Sequence, residues 1–292
     1  MIPQLRSKLV VSLGCLVACL AVLPVAPAAG QENKKLTADE VVARHLESIG
    51  SKEARAAVSH RVVGGPVKYV IRLGGGGYLD GGGLLVSSGP KVSYTMKFPN
   101  SEYPIEQMGF DGAKAESGFL PAGGRTPLSL FLNQQNLPLK EGLFGGVLSV
   151  AWPLGRIEQS QPRLEYRGLK KLDGKETYSL GYKARKGGSD LKIAMYFDPA
   201  TFRHIRTEYK FEIGARLGEG GANDSTRVQE SYYTLIEDFD DFRAVDGLTL
   251  PHKYRLQLSV NTSGGSLLRD WSLAVEQISH KVPIEDSVFK VR

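Results

Sequence analysis

Apolar residues recur at helical spacing near the start of the sequence and at every second position through most of the remaining chain. Leu36, Val41, Val42, Leu46 and Ile49 fall on one face of a helix. Thr37 and Glu40 have the spacing of a capping box, Leu36 and Val41 that of a hydrophobic staple, and Gly50 supplies the stop. Residues 51–58 are expected to add a turn or two.

Beyond residue 58 the period changes from 3.6 to 2. Val67, Tyr69, Ile71 and Leu73 alternate with Lys68 and Arg72, and Val92, Tyr94, Met96 and Phe98 alternate with Ser93, Thr95 and Lys97. The alternation returns over 178–182, 191–197, 209–213, 254–260 and 271–275, with weaker runs near Val62, Leu84, 107–110, Leu164 and 228–236. Together these runs predict about ten to twelve half-buried antiparallel strands. Asp111-Gly112, Asp173-Gly174, Lys186-Gly187-Gly188 and Asp246-Gly247 are placed to turn hairpins.

A different segment separates the two strand groups. Thr126 and Pro127 read as N-cap and first helical residue before Leu128, Leu130, Phe131 and Leu132. The stretch 137–152 carries Leu143, Phe144, Val147, Leu148 and Val150 and reads as a second helix. Gly142, Gly145 and Gly146 weaken it by about 1 kcal/mol each relative to alanine.

So many strands, each apolar on one face, cannot be covered by so few helices. The sheet must cover itself, either as a two-sheet sandwich with a solid core or by curling into an incomplete barrel closed by the helices. The second arrangement leaves a concave apolar space, a site for a greasy ligand. Glycine bears on the choice: ten of the residues from 64 to 89 are glycine, a density expected where strands bend or bulge. No internal repeat or linker divides the chain, so a single domain is expected over 29–292.

Residues 1–28 combine Arg6 and Lys8, an apolar run from Leu9 to Val25 and the triplet Ala26-Pro27-Ala28, the pattern of a secretory signal peptide. An exported, periplasmic protein is expected. Leu16-Val17-Ala18-Cys19 offers the alternative of a lipoprotein anchored through Cys19. Cys15 and Cys19 are the only cysteines, so a chain cleaved after Ala28 has no thiol for a disulfide, zinc site or nucleophile. The formal charge of +6 is spread thinly and includes Arg6 and Lys8, which argues against nucleic acid as a partner. Asn223-Asp224-Ser225 and Asn261-Thr262-Ser263 are formal glycosylation triplets.

Catalytic signatures are missing from the sequence. His45, His60, His204, His252 and His280 stand singly, there is no G-x-S-x-G elbow, and the glycine runs 74–77 and 81–83 match no phosphate-binding fingerprint. The run Glu237-Asp238-Phe239-Asp240-Asp241 lacks the glycine and terminal glutamate of a calcium loop and reads as a polar strand end or hairpin. No enzyme activity, metal or cofactor is expected. Basic residues interleaved with apolar ones over 68–72, 163–171 and 203–210 are the solvent side of strands, suited as well to an anionic lipid or acidic surface.

Several local motifs occur in a characteristic order. They are Leu36-Thr37-Ala38-Asp39-Glu40-Val41-Val42, Phe110-Asp111-Gly112, Tyr166-Arg167-Gly168 with Leu172-Asp173-Gly174-Lys175, Tyr196-Phe197-Asp198-Pro199-Ala200-Thr201, Val245-Asp246-Gly247-Leu248 and Val282-Pro283-Ile284-Glu285. In this order they resemble the LolA/LolB-like superfamily of periplasmic lipoprotein carriers, in particular the outer-membrane lipoprotein-sorting proteins, over 36–292. The resemblance implies a mainly β fold (α+β): a curled antiparallel sheet of about eleven strands forming an incomplete β-barrel, closed by an N-terminal helix and central plug helices. It also implies binding of lipid or lipoprotein acyl chains, exchange with membrane-bound donor and acceptor proteins, and a monomer. An RseB-like sensor of the same fold is the alternative; such sensors carry a further small domain, so the end at Arg292 is what a carrier would show. The stretch from Gly74 to Gly89 and the loop from Gly214 to Asp224 depart from the family pattern.

On this reading the wall of the cavity comprises Tyr69, Ile71, Tyr94, Met96, Phe98, Met195, Phe197, Tyr209, Phe211, Tyr254 and Leu256. Leu128, Phe131, Leu132, Phe144 and Leu148 are expected on the plug. Plain core packing is the competing role for each.

Overall fold

The computed structural model describes residues 36–185, 189–214 and 230–291. The expected leader with Cys15 and Cys19, the Lys186-Gly187-Gly188 hairpin, most of the 214–224 loop and the Asn223 triplet lie outside the described residues. Helix α1 (Ala38–Ile49) begins at Thr37, whose hydroxyl accepts from the Glu40 amide while the Glu40 carboxylate accepts from the Thr37 amide, both halves of the expected capping box. A single turn, α2 (Lys52–Ala56), follows.

The remainder is one antiparallel sheet built as two meanders. The first runs β1 (His60–Leu73), β2 (Gly77–Ser88), β3 (Lys91–Lys97), β4 (Ile105–Phe110) and β5 (Ala115–Ser117). The second runs β6 (Arg163–Leu172), β7 (Lys175–Lys183), β8 (Lys192–Phe197), β9 (His204–Ile213), β10 (Ser231–Val245), β11 (Leu248–Thr262) and β12 (Gly265–Ala274). Strand β12 pairs with β1 and joins the two, giving the order β5-β4-β3-β2-β1-β12-β11-β10-β9-β8-β7-β6. Three-residue β13 (Gln277–Ser279) continues beside β1. The sheet is not closed, so the fold is an incomplete barrel, and the short strands β5 and β13 bring the total to thirteen.

Hairpin chemistry sets the register. Asp173-Gly174 and Asp246-Gly247 have φ of 50° and 83° and of 48° and 79°, the left-handed pair that a type I′ turn requires. The glycine-rich stretch forms the β1–β2 hairpin and allows backbones to approach closely: a Cβ on Gly81 would lie 2.1 Å from the Lys97 carbonyl oxygen.

Because each meander is sequential, one long connection remains, from β5 at one edge to β6 at the other. It crosses the apolar face. This plug contains α3 (Pro127–Gln134), α4 (Leu137–Lys140), a 3₁₀ turn (Gly146–Leu148) and α5 (Ile157–Ser160). Thr126 caps α3 by accepting from the Ser129 amide, with Pro127 in its first turn as expected. The helix expected over 137–152 is instead a set of turns. Gly142, Gly145 and Gly146 have φ of 70°, 83° and 50°, which no continuous right-handed helix tolerates.

These glycines also seat the plug. A Cβ on Gly145 would lie 2.5 Å from Leu85 Cδ1, and one on Gly146 would lie 2.5 Å from the Phe239 ring. Gly145→Ala is therefore expected to lose roughly 2–3 kcal/mol from strain and overlap combined. Gly123 shares the φ of 83° but has nothing within 4 Å of its Cβ, so Gly123→Ala isolates the backbone cost. That control is expected to lose about 1 kcal/mol. Urea unfolding of the two variants checks this, and equal losses would mean that the plug is not tightly seated.

Candidate functional site

The concave side of the sheet is a trough floored by the inward half of each strand. Tyr69, Tyr94, Met96, Phe98, Met195, Phe197, Tyr209, Tyr254 and Leu256 all lie there, none more than 7% exposed. Ile71 and Phe211 pack against the same cluster half-buried. Leu128, Phe131, Leu132, Phe144 and Leu148 of the plug are fully buried in it. The structure thus brings all sixteen expected residues to one apolar cluster. Phe144 lies against Tyr94 with ring centroids 5.8 Å apart, and Phe131 against Tyr233 at 6.3 Å. At one side Tyr69 stacks on Trp271 at 5.3 Å and on Tyr103 at 4.8 Å.

The plug fills the trough. A cavity of about 90 Å³ remains where α1 meets the plug, between Leu46, Ile49, Val147 and Trp152, well below the ~300 Å³ of ordinary ligand pockets. Open grooves of about 800 and 590 Å³ lie over β1–β4 and over β1, β2 and β10–β12.

Polar side chains hold the plug in place, and strand parity explains where they come from. Glu106 precedes Met108 and Phe110 by two and four residues and so points inward with them. Its buried carboxylate accepts from Thr126 Oγ1 at 2.8 Å, Ser129 Oγ at 2.6 Å and Tyr103 Oη at 2.6 Å, gripping the first turn of α3. Glu237 lies between Leu235 and Phe239 in the same phase. It accepts from the Gly145 amide at 2.7 Å and from Tyr209 and Tyr254 hydroxyls at 2.6 Å each. The acidic run around Glu237 is therefore not a strand end or hairpin but the middle of a 15-residue strand, with Glu237 inward and Asp238 and Asp240 outward.

Further tethers complete the set. Tyr182 of β7 donates to Glu141 Oε2 at 2.6 Å, Arg61 of β1 donates to the Val147 carbonyl at 2.6 Å, and the Val150 amide donates to Ser87 Oγ at 3.0 Å. Trp152 Nε1 donates to His45 Nε2 at 3.2 Å, which ties the plug to α1. Arg61 also donates to His280 Nε2, whose other nitrogen lies 3.0 Å from Asp246 Oδ2. Inward parity was the available signal for Glu106, Glu237 and Arg61. Nothing local marked His45 or Trp152, whose pairing spans 107 residues.

Burial sets the charge of these groups. It pushes the Glu237 carboxyl up to about 7 against the opposing effect of its three donors, and it raises Glu106 in the same way. Loss of water pushes His45 down to about 4 and Arg61 down to about 10. Tyr94 Oη and His204 Nδ1 are buried without a hydrogen-bond partner. Among the described residues no cluster of three or more His, Cys, Asp or Glu is placed to hold a metal, and no helix is long and apolar enough to cross a membrane.

No family model matches the chain, and no curated protein does. Among solved structures it is similar to a domain described as outer membrane lipoprotein-sorting from Vibrio parahaemolyticus, with 13% identity, 85% of this chain and 97% of that chain covered, and a TM-score of 0.42. It is also similar to a LolA superfamily protein from Nitrosomonas europaea, with 10% identity, 87% and 98% coverage and a TM-score of 0.43. A DUF1329 family protein from Desulfovibrio piger matches with 12% identity, 86% and 96% coverage and a TM-score of 0.40. The first two neighbours carry the name of the group that the turn and strand-edge motifs resemble. With these three TM-scores below 0.5, function rests on the residues of this chain.

Glu237 gives a pH signature. Its folded pKa of about 7 exceeds the ordinary 4.5, so the folded state holds the proton more tightly than the unfolded state. The associated stability is fully present below about pH 4.5 and lost as pH rises through 7, roughly 3 kcal/mol in all. His45, depressed to about 4, acts in the opposite sense between its ordinary 6.5 and 4. Urea unfolding across this range is expected to show wild type losing stability relative to Glu237→Gln as pH rises; parallel pH profiles would contradict the assignment.

Proposed function

We propose that this chain is a periplasmic carrier that binds lipid or the acyl chains of lipoproteins in the trough, the plug swinging aside as they enter. The observation that carries this reading is the set of buried polar tethers on a plug that apolar packing already covers. Buried acids and cations cost stability compared with an apolar seam, and their best-attested use is to specify one arrangement of a part that has two. Glu106, Glu237 and Arg61 are such groups, each bonded across the contact between plug and wall.

The magnitudes support exchange. Leu128, Phe131, Leu132, Leu139, Leu143, Phe144, Val147, Leu148, Trp152 and Leu154 of the plug are buried in the same apolar cluster, and at about 1.5–3 kcal/mol each their burial contributes on the order of 20 kcal/mol. Two acyl chains of about a dozen methylenes each, at about 0.8 kcal/mol per methylene, contribute a similar amount. A pair of acyl chains therefore competes with the plug on equal terms, and the tethers, each worth about 1 kcal/mol net, set the bias. No catalytic group is required. Membrane-bound donor and acceptor proteins would load and unload a monomeric carrier.

Native mass spectrometry of protein purified from a bacterial periplasm tests this reading. Bound lipid is expected, and transfer of that lipid to acceptor vesicles distinguishes a carrier from an RseB-like sensor that holds its ligand. Protein that is lipid-free and takes up no acyl probe would contradict the proposal. Tyr182→Phe removes one tether at the rim and is expected to speed uptake of a fluorescent fatty acid by roughly fivefold, the factor for about 1 kcal/mol. Uptake no faster than wild type would mean that the plug does not gate entry.

A further inference from the structure

A pocket of about 480 Å³ opens at the rim of the trough between β6, β7, β8 and the start of α4. Arg163, Arg167, Lys183, Arg185 and Lys192 line it against one carboxylate, Asp190. The strand register makes this concentration costly. Arg163 faces Lys183 across β6 and β7, and Lys192 faces Lys210 across β8 and β9. The pair Tyr182–Ile193 sits one residue away, so the cations form a row across four neighbouring strands. Like charges opposite one another destabilise a sheet.

Some of this charge is neutralised within the protein. Lys192 pairs with Glu212 at 3.1 Å, Lys210 with Glu208 at 3.0 Å and Arg167 with Glu165 at 3.1 Å, while Arg185 donates to the Gln161 side chain. Arg163 and Lys183 have no acidic partner among the described residues. Apolar residues share the lining, alternation turning Tyr182 and Ile193 to the trough and Lys183 and Lys192 to the outer side of the sheet at the strand ends. Tyr182, Leu191 and Ile193 belong to the trough cluster, and Leu137 packs against it. The plug reaches the same place: Ser189 Oγ donates to Gln135 Oε1 at 3.1 Å at the end of α3.

We propose that this pocket is an anion site that holds the phosphate headgroup of an anionic phospholipid while its acyl chains pass round the strand ends into the trough. The assignment rests on the acyl-binding reading above and adds the headgroup class. Guanidinium and ammonium donors match phosphate oxygens. Leu137, Leu191 and Ile193 in the same lining suit a lipid, in which charge and chain are joined, and not an acidic protein surface, which would leave them bare.

Binding of dihexanoyl-phosphatidylglycerol, dihexanoyl-phosphatidylcholine and inorganic phosphate to the full chain tests the site by calorimetry. Wild type is expected to bind the glycerol lipid about tenfold more tightly than the choline lipid, with the gap closing as salt is raised. Arg163→Ala/Lys183→Ala, at exposed positions, is expected to remove that preference by weakening the glycerol lipid more than the choline lipid, whose phosphate is offset by its own ammonium, while Lys183→Arg retains the preference. Equal affinity of wild type for the two lipids, or a preference that survives the double alanine variant, would overturn the headgroup site alone. Inorganic phosphate binding as tightly as the glycerol lipid would overturn the lipid as its source. If neither lipid binds, the acyl-binding reading falls as well.

Discussion

A single antiparallel sheet with one apolar face has to bury that face with whatever chain is left over, and here that is one long connection together with α1. Both meanders are sequential hairpins, and β1–β12 pairing joins them. The link from β5 to β6 must therefore travel from edge to edge across the concave side. Its composition follows from that route. It needs apolar side chains to fill the trough, polar atoms to satisfy its own irregular backbone, and glycine wherever it touches the wall, as at Leu85 and Phe239.

Irregular backbone inside an apolar trough creates the demand that the buried carboxylates meet. Glu237 accepts the Gly145 amide, Ser87 accepts the Val150 amide, and Arg61 donates to the Val147 carbonyl. Each bond satisfies a peptide group that a longer helix would have satisfied internally. The same bonds are replaceable by water once the plug moves outward, whereas the aromatic wall is not content in water. Under the proposed carrier function this asymmetry favours an amphiphile with acyl chains as the exchange partner. It also links the rim to the interior, since Gln135 and Glu141 of the plug reach Ser189 and Tyr182 beside the basic pocket.

Much of this was legible in the sequence because it is local. The capping box at Thr37 and Glu40, the Asp-Gly turns at 173–174 and 246–247, and the alternating strands are decided within a few residues. The wall residues followed from parity alone. The same parity places Glu106 and Glu237 inward, but composition had drawn attention to the acidic run as a surface feature, which concealed the one residue with opposite facing. The stretch 137–152 misled for a related reason: its apolar spacing suits a helix, while Gly145 and Gly146 lie against the distant strand residues Leu85 and Phe239 and Gly142 lies against Ala151 within the plug, all with positive φ. The pairing of His45 with Trp152 depends on the closed fold and has no sequence signal.

The claim at the centre is that the plug is the resident occupant of a trough made for acyl chains. Hydrogen exchange of the protein with and without a long-chain lysophospholipid reads this directly. Amides of 126–152, Gly145 and Val150 among them, are expected to lose protection on loading while those of β1, β10 and β11 keep theirs. Unchanged or increased protection across 126–152 with ligand bound would contradict it.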